Sequence, residues 1–164
     1  MTDKTYKIRK AAVEDLPRIE EIYETARQFM RANGNYSQWD EQDAPELRSR
    51  EDIEAGQLYV LEDEKIHAVF VFWKGADPLY AVIEQGQWMS EEEYGVVHRV
   101  ASDGTVRNVL GQVMEFCKGQ IAHLRIDTHE DNKVMQHVLE KNGFQRCGVI
   151  YVSDGSPRIA YELV

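Results

Sequence analysis

Leu124-Arg125-Ile126-Asp127-Thr128-His129-Glu130-Asp131-Asn132, continuing through Met135 and Lys141 to Asn142-Gly143-Phe144, is the stretch on which the fold turns. Leu124 to Thr128 reads as a strand, and Asn132 to Asn142 as a helix with Asn132 as N-cap and Gly143 as the left-handed residue past its end. Upstream, Val106, Val109, Leu110, Val113, Met114 and Cys117 form one stripe of an amphipathic helix entered through Asp103-Gly104-Thr105. A strand over Tyr94 to Ala101 precedes it. Downstream, Arg146 to Val152 and Arg158 to Leu163 read as a hairpin around Ser153-Asp154-Gly155-Ser156.

Further out, Tyr6 to Arg9 alternates like a short strand. Leu16, Ile19, Ile22, Tyr23, Ala26, Phe29 and Met30 recur at helical spacing, with Pro17 in the first turn. A short helix is expected from near Pro45 to Glu54. Leu58 to Leu61 and Ile66 to Trp73 read as an antiparallel hairpin across Glu62-Asp63-Glu64-Lys65. Val82 to Trp88 is expected as a strand before Ser90-Glu91-Glu92-Glu93, whose Ser-x-x-Glu spacing suits a capped helical turn. Asn33 to Gln42, with Tyr36 and Trp39, reads as an ordered loop over a pocket, Trp39 alternatively plugging the core edge. The sum is a mixed α/β chain around one central sheet, a single domain over residues 1–164.

The composition narrows the function. Acidic residues outnumber basic ones 29 to 19, a net charge of −10, and no basic stripe breaks the pattern. That balance disfavours nucleic acid and anionic membranes as partners and tolerates a cationic substrate. No apolar run reaches the roughly 18 to 20 residues of a membrane span, and the N-terminus lacks an apolar signal segment, so a cytoplasmic protein is expected. Cys117 and Cys147, without CxxC spacing, read as buried free thiols of a reducing compartment. His123, His129 and His137 fit no metal-ligand spacing, and no metal is expected.

A strand ending at Val100-Ala101-Ser102, a tight polar turn and an amphipathic helix together offer free backbone N–H groups to an anion. With the strand, the Asn-capped helix and Asn142-Gly143-Phe144 that follow, the chain from Tyr6 to Val164 resembles the GNAT acyl-CoA N-acyltransferase superfamily. Leu124 to Asn132 with Met135, Lys141, Gly143 and Phe144 looks like its fifth strand and fourth helix, and His98-Arg99-Val100-Ala101-Ser102 like its fourth strand. Gln38-Trp39 and Asp154-Gly155-Ser156-Pro157-Arg158 resemble a subgroup of small bacterial members. The resemblance implies a twisted, mostly antiparallel sheet of about seven strands with splayed fourth and fifth strands, flanked by about four helices.

It also implies acetyl-CoA as cosubstrate and a primary amine, on a small molecule or a peptide, as acceptor, in a direct transfer within a ternary complex. A homodimer is compatible with this reading. Val100, Ser102, Arg107, Asn108, Val109, Leu110, Gly111 and Asn132 are the expected cofactor-binding residues. The chain departs from the family pattern at two points. Thr105 to Leu110 fill the pyrophosphate-loop window without its small residues, Leu110 crowding the approach, and Leu139 stands where the family carries a tyrosine acid. The proton for the leaving thiolate must then come from solvent, the substrate ammonium, or a side chain such as Tyr151 or Tyr161.

For the base, period-two geometry sets Val96, His98, Val100 and Ser102 on one face of their strand, the face that in the family meets the thioester. His98 is then the expected base, an imidazole ordinarily titrating near neutrality; its alternative is a core histidine bonded to a backbone carbonyl. Glu84, beside apolar Val82 and Ile83, is the second candidate. Glu91 to Glu93, Trp39 and Trp88 would suit a cationic, partly apolar amine. A non-catalytic acyl-CoA-binding or regulatory module is the competing reading, motivated by Leu110 and Leu139.

Overall fold

The computed structural model describes residues 6–36, 39 and 45–164. Seven strands run β1 Lys7–Lys10, β2 Leu58–Glu62, β3 Ile66–Lys74, β4 Gly95–Ser102, β5 Leu124–Thr128, β6 Gln145–Tyr151 and β7 Pro157–Leu163. Four α-helices, α1 Leu16–Ala32, α2 Ser49–Glu54, α3 Val109–Gln120 and α4 Lys133–Lys141, flank them. The strand order is β1-β2-β3-β4-β5-β7-β6, antiparallel except for the parallel pair β4–β5.

β3, Ile-His-Ala-Val-Phe-Val-Phe-Trp-Lys, is buried over its first seven residues because both of its faces are covered. Phe70 and Phe72 join Val97, Val113, Met114, Leu139 and Phe144 under α3 and α4. Val69 and Val71 meet Ile19, Ile22 and Tyr23, the apolar stripe of α1, on the other face. Each residue's parity along the strand decides which helices it touches.

β4 and β5 pair only at Gly95↔Leu124 and Val96↔Arg125, whereas the other edge of β5 pairs with β7 from Leu124↔Leu163 to Thr128↔Ile159. The two parallel strands therefore part company after Val96. Gly95 permits the close approach at the base of this fork: a Cβ there would lie 2.7 Å from Phe72 Cε1 and 2.8 Å from Ile121 Cγ2. The capping residues behave as their chemistry predicts. Asn132 Oδ1 accepts from the Met135 N–H at 3.0 Å, and Gly143 ends α4 with φ +90°.

Two sequence expectations are corrected. Residues 82–88 form no strand: the isolated bridge Glu84↔Val149 and the Gln87 N–H on the Cys147 carbonyl tie them to β6, and left-handed Gln85, φ 57°, interrupts the ladder between those two contacts. Ser90 caps no helical turn; its hydroxyl accepts the Glu92 N–H at 3.2 Å within an irregular loop. Trp39 is buried edge-to-face against Tyr23, and the rest of the expected pocket loop, including Gln38, largely lies outside the described residues. No helix among the described residues is long and apolar enough to cross a membrane.

Candidate functional site

A cleft of about 460 Å³ lies between the C-terminal half of α1, the end of β4 and the first turns of α3 and α4. Val100, Ser102, Asn108, Val109, Leu110 and Asn132 line it, joined by Phe29, Met30 and Met135. Arg107 and Gly111 are not part of its lining. Arg107 is exposed on the same turn, while Gly111 makes room for Asn108: a Cβ there would sit 2.3 Å from Asn108 Oδ1.

Asn108 is the N-cap of α3 in the left-handed region, φ 54° and ψ 44°, a conformation that asparagine adopts more readily than most residues. Its side chain does not cap the helix, and the first N–H groups of α3 have no intrahelical acceptor. Such a helix end is chemically suited to an anion. Leu110 is buried with Val113 and Leu139 in the core and also forms part of the cleft lining. A ligand with an anionic group at the helix ends and an aliphatic arm along Val100, Val109 and Met135 matches these walls.

The turn feeding α3 is held by charge. Asp103 accepts from the Thr105 N–H at 2.9 Å and from Arg18 Nη2 at 2.8 Å, and faces His67 Nδ1 at 2.8 Å. The other ring nitrogen, His67 Nε2, meets Asp63 Oδ1 at 2.8 Å. Burial raises the Asp103 pKa, but the bonds from Thr105 and His67 outweigh it and the net direction is down.

β4 does not keep its alternation. Val69 pairs with Ala101 and Val71 with His98, so Arg99 and Val100 together oppose Phe70 in a β-bulge, with Arg99 at φ 50°. An ion pair, Arg99 Nη2 to Asp52 Oδ2 of α2 at 2.8 Å, anchors the bulge. Val97 and Val100 consequently share the α3/α4 face, while Val96 and His98 lie on the opposite one. The expected single face of Val96, His98, Val100 and Ser102 is therefore corrected: the bulge inserts one residue and reverses the parity beyond it. His98 does not line the cleft.

His98 stands where β4 and β5 separate. Its Nε2 lies 2.8 Å from Asp77 Oδ2 and its Nδ1 3.7 Å from Asp127 Oδ2, with Trp73 and Tyr80 tilted against the ring at 5.3 and 5.9 Å. It is not a core histidine on a backbone carbonyl. Burial raises the Asp77 carboxyl, yet the bonds from His98 and the Leu79 N–H prevail and lower it. Tyr80, wholly buried beside Asp127, is pushed well above the usual phenol range and donates its proton to Asp127 Oδ2 at 2.7 Å.

Glu84 is elsewhere. It is exposed, and its carboxylate accepts the Tyr151 hydroxyl at 3.0 Å beside β6; the apolar burial expected from Val82 and Ile83 is missing. Leu139 is fully buried in the core, and Tyr161 is buried in the same cluster. Cys117 and Cys147 are free and buried, and burial pushes their thiols up to about 12 and about 11. Among the described residues no cluster of three or more His, Cys, Asp or Glu is placed to hold a metal.

Sequence reasoning missed Asp77, Asp127 and Tyr80. Asp77 carried a local signal, an Asp before Pro78 whose side chain caps the turn at the Leu79 N–H. Asp127 carried only its place in a strand.

No protein-family model and no curated protein matches the sequence. Solved structures do. An acetyltransferase of the GNAT family from Streptococcus agalactiae is 30% identical, with a TM-score of 0.84 over 97% of this chain and 95% of that one. A GNAT-family acetyltransferase from Listeria monocytogenes, 18% identical with a TM-score of 0.69 over 96% and 95%, shares the fold. So does the ribosomal-protein-S18-alanine N-acetyltransferase of Escherichia coli, 13% identical with a TM-score of 0.54 over 97% and 93%. With a forked β4–β5 pair, a bulged β4 and helix ends meeting at one cleft, and with 30% identity along nearly the whole of both chains, this protein belongs to the GNAT family of acetyltransferases.

Proposed function

We propose that the protein transfers an acetyl group from acetyl-CoA directly to a primary amine, on a small molecule or a peptide, within a ternary complex. The observation that carries this reading is the placement of a His–Asp pair, His98 and Asp77, at the β4–β5 fork, on the strand whose last residues, Val100 to Ser102, line the cleft. When bound, acetyl-CoA supplies a thioester acetyl group open to attack by an uncharged amine.

The N–H groups of Val109, Leu110 and Gly111 would hold the pyrophosphate, with Arg107 adding its charge from the same turn. Val100, Met135 and the first turn of α4 behind Asn132 would flank the pantetheine arm. Beyond Val96 the edge of β4 has no ladder partner in β5, so a backbone N–H from Val100 to Ser102 is available to the thioester oxygen. One well-placed donor of that kind contributes on the order of 3 kcal/mol as charge develops. Holding both reactants side by side supplies much of the remaining acceleration.

The proton path starts at His98. Asp77, kept ionised, accepts from Nε2–H, which fixes the tautomer with its lone pair on Nδ1. Nδ1 removes the proton from the ammonium, the free amine attacks, and the C–S bond breaks. With Leu139 buried, the thiolate takes its proton from solvent. The balance is one amide, one CoA thiol and one proton released per turnover.

Calorimetry with acetyl-CoA and CoA, followed by CoA-release assays on a panel of primary amines, tests this reading. Binding and turnover are expected, with His98→Ala lowering kcat roughly 10²-fold while sparing CoA affinity. No binding at millimolar ligand would remove the cosubstrate. Tight CoA binding without turnover of any amine would instead favour the non-catalytic module that the loss of the tyrosine at Leu139 suggests.

A further inference from the structure

Continuing the β4–β5 register, Gly95↔Leu124 and Val96↔Arg125, brings His98 opposite Asp127 as the second pair beyond the ladder, after Val97 and Ile126, on the face away from α3 and α4. The strands have parted there, and the two side chains face each other across the opening. Their separation, 3.7 Å from Nδ1 to Oδ2, exceeds a hydrogen bond, so neither satisfies the other. Asp127 Oδ2 accepts the Tyr80 hydroxyl on one of its two lone pairs, and the side chain is nine-tenths buried. A buried carboxylate held in place by one hydrogen bond, whose Oδ2 faces Nδ1 of His98 across the strand opening with acceptor capacity to spare, is suited to a cation.

We propose that Asp127 seats the ammonium group of the acceptor, so that one nitrogen bridges its carboxylate and Nδ1 of His98. The geometry allows it: a nitrogen can lie at about 2.8 Å from two acceptors that are themselves 3.7 Å apart. The assignment rests on the transferase reading and adds the residue that selects the acceptor's charge. Three N–H groups of a primary ammonium divide between Asp127, His98 and the thioester side. The proton given to Nδ1 leaves a neutral amine still hydrogen-bonded to Asp127, while Tyr80, whose own proton is held firmly, keeps the carboxylate in place.

The test uses the intact protein with CoA bound. Titrating primary amines and the alcohols of the same carbon skeletons, while following the ring ¹⁵N resonances of His98, reports occupancy of this site without turnover. In wild type at least one amine should move the His98 resonances at concentrations about tenfold or more below its alcohol, and Asp127→Asn should abolish that preference. Asn keeps an acceptor for Tyr80, and Asp127→Ser provides a smaller uncharged variant should the first fail to fold. In turnover, KM for the amine should rise about tenfold or more in both variants with CoA affinity unchanged. Unchanged amine preference and KM in Asp127→Asn, or no amine perturbing His98 in wild type, overturns the assignment. Amine binding that depends on Asp127 without any acetyl transfer would overturn the transferase reading and leave this one standing.

Discussion

Glu162, on β7, is wholly buried and is the hub of a charged cluster. It accepts from Arg125 Nε at 2.9 Å and the Met89 N–H at 2.6 Å, and faces His123 Nε2 at 2.5 Å. Arg125, itself buried, lies between the rings of Trp88 and Tyr94 at 4.0 Å from each and donates to the Ser90 carbonyl. This clamp ties the irregular 84–94 segment, whose Trp88 donates to the Tyr80 carbonyl, to the sheet. Glu162→Ala leaves the Arg125 cation buried and uncompensated, a loss of about 3–5 kcal/mol. For a chain of this size that is a fall in Tm of roughly 6–20 °C, and a large share of the about 5–15 kcal/mol that native domains possess.

Denaturant and thermal unfolding followed by circular dichroism would measure it. Glu162→Leu combined with Arg125→Met should recover most of the loss, because an apolar pair of similar volume removes both desolvated charges. The pH dependence has a defined sign. Burial raises the Glu162 carboxyl, but the bonds from His123, the Met89 N–H and Arg125 outweigh it and lower the pKa. Its contribution is therefore complete above the ordinary glutamate value of about 4.3 and is lost as pH falls through the depressed native value. The gap between wild type and Glu162→Ala should narrow on acidification from there. A single variant within 1 kcal/mol of wild type, or a double variant no more stable than the single, would refute the clamp.

Asn132→Ala removes the bond to the Met135 N–H and should cost about 1 kcal/mol in unfolding experiments, with weaker CoA binding by calorimetry if the first turn of α4 flanks the pantetheine arm. Leu139→Tyr forces a hydroxyl into a filled core, so Tm should drop by an amount equivalent to about 1–3 kcal/mol and kcat should not rise; a faster enzyme would mean that the hydroxyl reaches the leaving group. Gly95→Ala drives a methyl into Phe72 and Ile121 at the base of the fork, and should lower both stability and CoA affinity, whereas the exposed Gly119→Ala, which meets nothing within 4 Å, should do neither.

Local chemistry made much of this protein legible from sequence. The Asn132 cap, the left-handed Gly143, the stripe of Ile19, Ile22 and Tyr23, and the Ile66 to Trp73 run each depend on residues within a few positions of one another, so periodicity and capping rules find them. The order of those elements was enough to bring out the family resemblance. Even Asn108 in a left-handed conformation follows from what an asparagine side chain tolerates.

What only the tertiary structure decided is which residues meet at the fork. Residues 82–88 have strand-like composition and lie against β6, but left-handed Gln85 breaks the pairing after the bridge at Glu84. The bulge at Arg99 depends on pairing with β3 and on Asp52, 47 residues away, and it alone moves His98 to the face opposite Val100. Asp77 reaches His98 from 21 residues upstream, and Asp127 arrives on a strand that touches β4 only through two residue pairs. Contacts of this kind are set by strand order, register and parity, which belong to the sheet as a whole; a one-residue insertion in one strand reverses them without changing any local propensity.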